Sequence, residues 1–262
     1  MKILFFGDIV GKIGRQAIKK ILPELKQQFQ PDLIIANAEN LAHGKGVTEK
    51  TLQEMIDVGI NAFTSGNHVF KKDSEVLKDK KIPLIRPANY PLSVVGQQYL
   101  KLKINKKNVF ILNLMGRVFI REDFDCPFRK FDELKKLLKF KKNDIVIIDF
   151  HAEATSEKNA FAFYVDGQVS AVLGTHTHIP TADEKILPNG TGFITDVGMV
   201  GPTDSVLGVA KEGVIDTFLT QIGNQHEMLE SGEVVINSVL LDINDKTSKC
   251  QKISRIQKFV NI

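Results

Sequence analysis

The chain has 262 residues, 43% of them hydrophobic, which is enough to bury the core of one α/β domain. Its 35 basic and 31 acidic side chains nearly balance and form no block of like charge, so the composition gives only weak support for a nucleic-acid partner. Asp8 interrupts the first apolar run, and no stretch approaches the eighteen or so apolar residues of a membrane helix, which predicts a chain without an export signal or a membrane span.

The first half of the chain alternates apolar runs with helical patterns. A helix is predicted over residues 13–29, with Pro23 as a candidate break, and a second helix is predicted to begin at Thr48. Alternation of strand, loop and helix is typical of a parallel sheet, in which the carboxyl ends of the strands meet at one edge. The predicted strands are residues 2–6, 32–36 and 61–65.

The second half contains more strands than helices. Residues 98–104 and 108–114 predict an antiparallel pair around a polar turn, and residues 234–243 with 252–260 predict a closing hairpin. The segment 198–208, rich in Gly, Pro, Thr and Ser, is predicted to be a loose segment at the rim of a substrate site. Further buried, apolar strands are predicted at residues 145–150, 171–173 and 192–195. Together these patterns predict an α/β fold of two sheets with helices outside.

A lysine-rich stretch at residues 130–142 predicts an amphipathic helix. Leu134, Leu137 and Leu138 form its apolar stripe, which we expect to be buried. We therefore interpret its lysines as a solvated outer face, and nucleic acid is left as the weaker alternative among the partners.

Polar residues follow the predicted strands at the points where the strands end. Ligands of open α/β sheets bind beyond these ends, so the residues are expected to converge on one crevice. Each of them taken alone also fits an ordinary helix cap or turn residue. Four of the six histidines belong to this set, whereas His43 and His226 are assigned to surface or loop roles. The set is Asp8, Glu39, Asn40, Asn67, His68, His151, His176 and His178.

The donor types in this set indicate transition-metal ions. Carboxylate, imidazole and amide oxygen suit manganese, iron or zinc better than calcium or magnesium alone. His176 and His178 stand two residues apart at a predicted extended strand end, from which both imidazoles would project to one side. Cys126 and Cys250 have no C-x-x-C partner, which disfavours a structural zinc site and fits the reducing cytoplasm. Seven metal candidates, all of the set except His68, exceed the four ligands of one tetrahedral ion and favour two ions and phosphoryl chemistry.

Other nucleotide-binding and hydrolase motifs do not fit the sequence. Gly7, Gly11 and Gly14 follow a strand and open a helix, but their spacing is G-x-x-x-G-x-x-G and not G-x-G-x-x-G. Lys12 is not followed by Ser or Thr, which excludes a P-loop, and there is no G-x-S-x-G nucleophile elbow.

Six longer motifs contain the strand-end residues and their surroundings. They are Gly-Asp-Ile-Val-Gly at 7–11, Asn-Ala-Glu-Asn at 37–40, Ser-Gly-Asn-His at 65–68, His-Ala-Glu-Ala-Thr-Ser-Glu-Lys at 151–158, Gly-Thr-His-Thr-His at 174–178 and Thr-Asp-Val-Gly-Met at 195–199. With these motifs the chain resembles the calcineurin-like metallophosphoesterases, and more closely their YmdB-like family of 2',3'-cyclic-nucleotide phosphodiesterases. Val10 and Glu39 replace a histidine and a bridging aspartate of the wider superfamily, and the YmdB-like family looks the same at both positions.

This resemblance implies a fold, a cofactor and a ligand set. The implied fold is a four-layer sandwich, in which two mixed β-sheets pack face to face and are flanked by helices, with residues 1–262 as a single metallophosphoesterase domain. The implied cofactor is two metal ions, iron or manganese in its place. By the resemblance, one ion is held by Asp8, Glu39, Asn40 and His178, and the other by Glu39, Asn67, His151 and His176.

The activity expected from the sequence is that of a cytoplasmic phosphodiesterase. A hydroxide bridging the ions would attack phosphorus in a 2',3'-cyclic nucleotide, and His68 would donate a proton to the leaving oxygen. A phosphomonoesterase or nuclease with the same metal centre is one alternative. A metal-stabilised regulatory or RNA-binding protein with vestigial activity is another. The expected partner is a small phosphodiester or nucleotide, and a homo-oligomer is left open.

Overall fold

The computed structural model describes residues 1–225 and 227–262, so the expectation for His226 lies outside the described residues. The strands are β1 (Lys2–Ile9), β2 (Leu33–Asn37), β3 (Ala62–Thr64), β4 (Tyr99–Ile104), β5 (Lys107–Met115), β6 (Ile145–His151), β7 (Ala171–Thr175), β8 (Lys185–Ile186), β9 (Gly192–Ile194), β10 (Met199–Pro202), β11 (Glu233–Ile243) and β12 (Cys250–Asn261). The α-helices are α1 (Gly11–Phe29), α2 (Glu49–Val58), α3 (Pro127–Leu138), α4 (Thr155–Tyr164) and α5 (Lys211–Thr220). Two short 3₁₀ helices cover Asn67–Phe70 and Ser74–Lys78.

The strands form two mixed sheets of six strands each. The first sheet has the order β12-β11-β10-β1-β2-β3, and the second has the order β4-β5-β6-β7-β9-β8. Strands β1, β2, β3 and β10 run parallel in the first sheet, and β5, β6, β7 and β9 run parallel in the second. The β4–β5 and β11–β12 pairs are antiparallel, as the sequence predicts. The predicted α/β fold of two mixed sheets flanked by helices is confirmed.

Three apolar layers hold the sheets and helices together, and β1 contributes to two of them. Ile3 and Phe5 lie between the two sheets, whereas Leu4 and Phe6 pack on the other face against α1 and α2. This division follows from the alternation of side chains along a strand. The third layer lies between the second sheet and helices α3 and α4, where Phe161 packs. The order of layers is therefore α1 and α2, the first sheet, the second sheet, and α3 and α4.

Helix α1 continues through its internal proline, whereas local sequence signals explain where α2 begins and ends. Helix α1 runs through Pro23 without a break in its helical assignment. Thr48 caps α2, because its hydroxyl accepts a hydrogen bond from the Thr51 N–H at 3.2 Å while the Thr51 hydroxyl accepts one from the Thr48 N–H at 3.0 Å. Gly59 ends the helix with a φ of 110°. The predicted start of α2 is confirmed.

Two expectations about the second half are wrong. Residues 199–202, predicted within a loose segment, form the buried strand β10, which pairs with β1 and β11. Leu137, predicted in a buried stripe, is 67% exposed. Helix α3 buries Phe131 and Leu134 and part of Leu138, at spacings of three and four residues, and this face leaves Leu137 toward solvent. Within the described ranges, none of the helices has the length and apolar character needed to span a bilayer.

Candidate metal centre

The predicted site residues lie at or just beyond the carboxyl ends of strands from both sheets. The first sheet supplies the oxygen donors together with one imidazole, and the second sheet supplies three imidazoles. The residues converge in space, and we refer to them together as the strand-end cluster. Its members are Asp8, Glu39, Asn40, Asn67, His68, His151, His176 and His178.

A β-bulge precedes Asp8 near the end of β1. The register with β2 shifts between Phe6 and Asp8, so that Gly7 is an extra residue on β1. An ideal Cβ at position 7 would lie 1.7 Å from the Gly198 carbonyl oxygen, so this position has no room for a side chain. We infer that the bulge, possible only with glycine here, sets the direction in which Asp8 points.

Two buried carboxylates face the histidines of the cluster. Asp8 Oδ1 lies 4.0 Å from Nδ1 of His151 and 3.9 Å from Nε2 of His178. Glu39 Oε1 lies 3.2 Å from Nε2 of His151, and Glu39 Oε2 accepts a hydrogen bond from the His68 backbone N–H at 3.2 Å. Both carboxylates are at most 1% exposed, which is costly unless a positive charge or donors compensate them.

The two amide side chains of the set make different contacts. Asn40 Oδ1 lies 3.1 Å from Nδ1 of His68, and its Nδ2 lies 3.1 Å from Nε2 of His178. Asn67 donates from Nδ2 to Glu122 at 3.2 Å. Its Oδ1 is buried and has no hydrogen-bond partner among the described residues. This oxygen is therefore available to a ligand.

The loop after β7 carries His176 and His178 in a conformation that differs from the predicted one. Strand β7 ends at Thr175, and the two histidines have φ values of 99° and 66°. The expectation of an extended strand end is therefore wrong. The left-handed backbone is unusual for residues with a Cβ, and such strain clusters at functional sites. It turns the His176 N–H toward Asp8 Oδ2, at 3.2 Å.

A buried ion pair supports this loop. Lys158 of α4 donates to Asp196 Oδ2 at 2.7 Å and to the Thr175 carbonyl oxygen at 2.9 Å. Asp196 also accepts hydrogen bonds from the backbone N–H groups of Thr177 and Gly198. Such a buried pair is tolerated because further hydrogen bonds satisfy both ions. The pair thus ties the histidine loop to α4.

Each imidazole from the second sheet has one ring nitrogen next to an outer acceptor. The contacts are His151 Nδ1 to Thr175 Oγ1 at 2.8 Å, His176 Nε2 to Glu153 Oε2 at 3.2 Å, and His178 Nδ1 to the Leu207 carbonyl oxygen at 2.9 Å. A neutral imidazole that donates from one nitrogen carries a lone pair on the other. The inner nitrogens therefore face the cluster as acceptors, which is the arrangement of metal-binding histidines.

The donor atoms of the cluster fit metal ions. Nε2 of His151 and Nδ1 of His176 are 3.1 Å apart, and two facing lone pairs at this distance need a proton or a cation between them. Donor atoms of these histidines and of Glu39 lie within 4.8 Å of one another. Asp8 Oδ1 is buried without a hydrogen-bond partner among the described residues. Carboxylate, imidazole and amide donors together suit transition metals.

Burial and neighbouring charges shift the pKa values of the ionisable side chains in the cluster. Burial opposes the charged form of His151, but the carboxylates of Glu39 and Asp8 outweigh it and raise the pKa of this imidazole to about 9. Burial and then His151 lower the pKa of His176 to about 3. Burial raises the pKa of Asp8, although the nearby histidines lower it. Opposed shifts within one buried cluster are typical of functional sites.

Gly66 allows the backbone to pass close to the cluster. An ideal Cβ at this position would lie 2.0 Å from Glu39 Oε2 and 2.4 Å from Nε2 of His151. No side chain fits there without moving a donor atom. This close approach brings the next two residues, Asn67 and His68, to the cluster.

His68 lies at the solvent side of the cluster. Its side chain is 26% exposed, and its Nδ1 contacts Asn40 Oδ1. Its Nε2 makes no hydrogen bond to any residue that the structure describes, so this nitrogen can meet a bound molecule. Burial lowers the pKa of His68, and Glu39 acts in the opposite direction.

The polar groups that lie behind the cluster were not predicted from the sequence. Residues 145–150 are predicted as an apolar strand, yet Asp149 in this run is fully buried and accepts hydrogen bonds from Thr64, Thr175 and Asn37. A lone carboxylate within a buried strand is the signal that could have found it, since a buried Asp needs partners. For the outer partners Glu122, Glu153 and Leu207 there was no comparable signal.

Comparison with known proteins identifies relatives that span nearly the whole chain. A family model described as YmdB-like protein matches residues 4–256. The chain is 46% identical to a 2',3'-cyclic-nucleotide 2'-phosphodiesterase of Bacillus subtilis (strain 168), and the match covers 98% of this chain and 96% of that protein.

Two solved structures share both the sequence and the fold. The crystal structure of a hypothetical protein from Thermus thermophilus is 36% identical, with a TM-score of 0.90 and coverage of 99% of both chains. The crystal structure of a novel phosphatase from Mycoplasma pneumoniae is 38% identical, with a TM-score of 0.91 and coverage of 99% of this chain and 93% of that one.

Proposed function

The chain belongs to the YmdB-like family and is a phosphoric ester hydrolase, and from this premise we propose that it is a phosphodiesterase for 2',3'-cyclic nucleotides with a binuclear metal centre. The relative from Bacillus subtilis supports the substrate class, since its name specifies hydrolysis at the 2' position of such nucleotides. The observation that carries the metal dependence is the convergence of inward-facing imidazole nitrogens and unpartnered carboxylate and amide oxygens in one buried cluster.

We assign the donors to two ions that share one carboxylate. Asp8, Glu39, Asn40 and His178 would hold one ion, and Glu39, Asn67, His151 and His176 would hold the other. Distances between donor atoms support both groups, such as 3.9 Å between Asp8 Oδ1 and His178 Nε2 and 3.2 Å between Glu39 Oε1 and His151 Nε2. The donor types suit manganese, iron or zinc, and the family resemblance favours iron or manganese among these. Two such ions, when bound, lower the pKa of a coordinated water and neutralise charge on the phosphate.

His68 is the residue that we assign to proton transfer. Hydrolysis adds a water oxygen to phosphorus and breaks the bond from phosphorus to the ribose 2' oxygen, which leaves as an alkoxide unless it is protonated. The Nε2 of His68 is free to donate that proton, while Asn40 holds its Nδ1 at 3.1 Å. Burial lowers the pKa of His68, and the Glu39 carboxylate, 3.5 Å from the same Nδ1, partly offsets this by favouring the protonated ring.

The residues of the strand-end cluster other than His68 serve to hold the metal-donor atoms in place during the reaction. The buried carboxylates and the imidazoles are held from two sheets, so their positions are fixed before substrate arrives. The outer acceptors of the three imidazoles prevent rotation of the rings. The chain's own contribution is therefore a rigid set of donors and one mobile proton at His68.

A panel of substrates tests the proposal. Purified protein loaded with Mn²⁺ or Fe²⁺ is assayed on 2',3'-cAMP, bis-p-nitrophenyl phosphate, p-nitrophenyl phosphate and single-stranded RNA, with chelator-treated protein as the control. We expect the highest kcat/KM with 2',3'-cAMP and loss of activity after chelation. A preference for p-nitrophenyl phosphate or RNA would replace the proposal with a phosphomonoesterase or a nuclease. Inactivity with both ions bound would favour a regulatory or RNA-binding protein.

Three further assignments accompany this function. We propose that residues 1–262 form one domain, because the apolar layer between the two sheets is shared by strands from both halves of the chain. We propose a cytoplasmic location, which the free thiols of Cys126 and Cys250 fit. Nucleic-acid binding stays the weaker alternative, and a homo-oligomeric state stays open.

A further inference from the structure

Asp149 is a fully buried carboxylate that connects the two sheets behind the strand-end cluster. It belongs to β6 of the second sheet, between Ile148 and Phe150. From the first sheet, Thr64 of β3 donates to its Oδ2 at 2.5 Å and Asn37 of β2 donates to the same oxygen at 2.9 Å. A carboxylate in this layer is stable only because such donors replace water.

The other oxygen of Asp149 leads to His151 through a threonine. The Thr175 hydroxyl donates to Asp149 Oδ1 at 2.6 Å, and the same hydroxyl lies 2.8 Å from Nδ1 of His151. A hydroxyl has one hydrogen, so the contact with His151 uses a hydroxyl lone pair and requires a hydrogen on Nδ1. We call this series of hydrogen bonds, from Asp149 through Thr175 to His151, the His151 relay.

Asn37 also lies within hydrogen-bond distance of this Nδ1, but it does not change the assignment. Asn37 Nδ2 lies 3.4 Å from Nδ1 of His151. Its two hydrogens are already directed to the Ser65 carbonyl oxygen at 3.1 Å and to Asp149 at 2.9 Å. The Nδ1 of His151 therefore acts as the donor, and the lone pair of the neutral ring lies on Nε2, which faces Glu39 and His176.

We propose that Asp149 is a positioning residue that, through Thr175, fixes the tautomer of His151 with the hydrogen on Nδ1 and so keeps Nε2 open to a metal ion. This inference rests on the proposed binuclear function. It goes beyond the ligand set, because Asp149 touches neither the cluster interior nor substrate. It also explains why a carboxylate is retained in an otherwise apolar strand.

The substitution Asp149→Asn reverses the relay with almost no change in shape. Thr64 and Asn37 both donate to the Oδ2 position, so the amide oxygen stays there and the amide NH₂ turns toward Thr175. The NH₂ then donates to the Thr175 hydroxyl, which in turn donates its hydrogen to Nδ1 of His151. This tautomer places a hydrogen on Nε2, where it opposes metal binding.

Two measurements besides activity test the relay. Ring nitrogen spectra of ¹⁵N-histidine-labelled protein report the tautomer in the Zn²⁺-loaded and metal-free forms, and equilibrium dialysis reports Mn²⁺ affinity. In metal-free protein above pH 9, where the wild-type His151 ring is neutral, we expect the ring hydrogen on Nδ1 in wild type and on Nε2 in Asp149→Asn. We also expect Asp149→Asn to reduce Mn²⁺ affinity roughly 10- to 100-fold at one of two sites. An unchanged tautomer together with unchanged Mn²⁺ affinity would overturn the proposal.

Matched variants separate the relay from simple destabilisation. Thr64→Val removes one donor to Asp149 but leaves the contact of Asp149 with Thr175 and that of Thr175 with His151, so it should retain the wild-type tautomer and Mn²⁺ affinity. Thr175→Ser keeps the hydroxyl and should behave as wild type, whereas Thr175→Val should lose affinity. If Asp149→Asn fails to fold, equal Mn²⁺ affinity of the two Thr175 variants would still refute the relay.

The same experiments distinguish failure of the relay from failure of the proposed function. Wild-type protein that binds two Mn²⁺ ions but hydrolyses no phosphodiester would refute the function. The relay would still be supported in that case if Asp149→Asn changed the tautomer of His151. If the wild-type protein is active but Asp149→Asn leaves the tautomer of His151 unchanged, the relay alone is refuted.

Discussion

Replacement of Gly66 by alanine is the most direct test of the cluster, because the backbone there passes between two donor groups. The added methyl group would lie 2.0 Å from Glu39 Oε2 and 2.4 Å from Nε2 of His151, where ordinary contacts need about 3.4 Å. The carboxylate would therefore have to move by about 1.4 Å and the imidazole by about 1.0 Å. The φ of −155° is negative, so the backbone conformation itself can remain.

The expected loss of activity in Gly66→Ala follows from these displacements. A misplacement of about 1 Å at a reacting centre can lower the rate by roughly 100-fold, which corresponds to about 2.7 kcal/mol of transition-state stabilisation. We expect kcat/KM for 2',3'-cAMP in the Mn²⁺-loaded Gly66→Ala variant to fall by at least this factor. Mn²⁺ affinity, measured by equilibrium dialysis, should fall as well.

A matched glycine provides the control. An ideal Cβ on Gly223 meets no atom of residues 1–225 and 227–262 within 4 Å, and its φ is not in the left-handed region, so Gly223→Ala should keep wild-type kcat/KM. Circular dichroism of both variants would verify that the fold is retained. If Gly66→Ala kept kcat/KM and Mn²⁺ affinity within threefold of wild type, the close approach at position 66 would be irrelevant to the site and the reasoning would fail.

Three other predictions concern proton transfer, the buried ion pair and the metal. His68→Ala should lower turnover by roughly two to four orders of magnitude while elemental analysis still finds two ions per chain, and loss of both ions would instead mark His68 as a ligand. Lys158→Met should lower the free energy of unfolding of metal-free protein in urea by about 3 to 5 kcal/mol, because it leaves Asp196 buried without its cation. The exposed Lys19→Met variant is the control and should change stability by less than about 0.5 kcal/mol; equal effects of both substitutions would contradict the role of the pair. Mn²⁺ at about one hundred times its Kd should stabilise the fold by about 2.7 kcal/mol in thermal denaturation, an increase that a chelator abolishes, and no increase would argue against binding to the native state.

The strand-end positions of the cluster could be predicted from sequence because they depend on local patterns. Asp8 and Glu39 follow short apolar runs, and His151 ends another, so each lies where a strand gives way to a loop. Alternating strands and helices then place these ends together. What the pattern could not specify is which ring nitrogen of each histidine faces inward, since this depends on outer partners such as Thr175 and Leu207.

The errors lie where distant contacts override local propensity. Strand β10 contains glycine and proline and is only four residues long, so nothing local favours it, yet pairing with β1 and β11 buries it. The positive φ values of His176 and His178 likewise require support from Lys158, which belongs to α4. Sequence alone indicated the loop but not its conformation.

Asp149 shows why polar contacts between the two sheets could not be predicted from the sequence. Its presence in an apolar run was visible, but its partners Thr64 and Asn37 are 85 and 112 residues away and belong to the other sheet. No periodicity within one strand reveals the facing residue of a second sheet. The polar link between sheets therefore emerged only from the structure.

The order of donors along the chain affects when an ion can be captured during synthesis. The carboxylates and amides come early, from Asp8 to Asn67, and the three imidazoles of the second sheet come much later, from His151 to His178. β1 moreover pairs with β10 and β11, which are synthesised after all of these donors. A nascent chain that ends before His151 thus carries only four of the seven metal candidates, and we expect selective uptake of metal to wait until the second half of the chain has been synthesised.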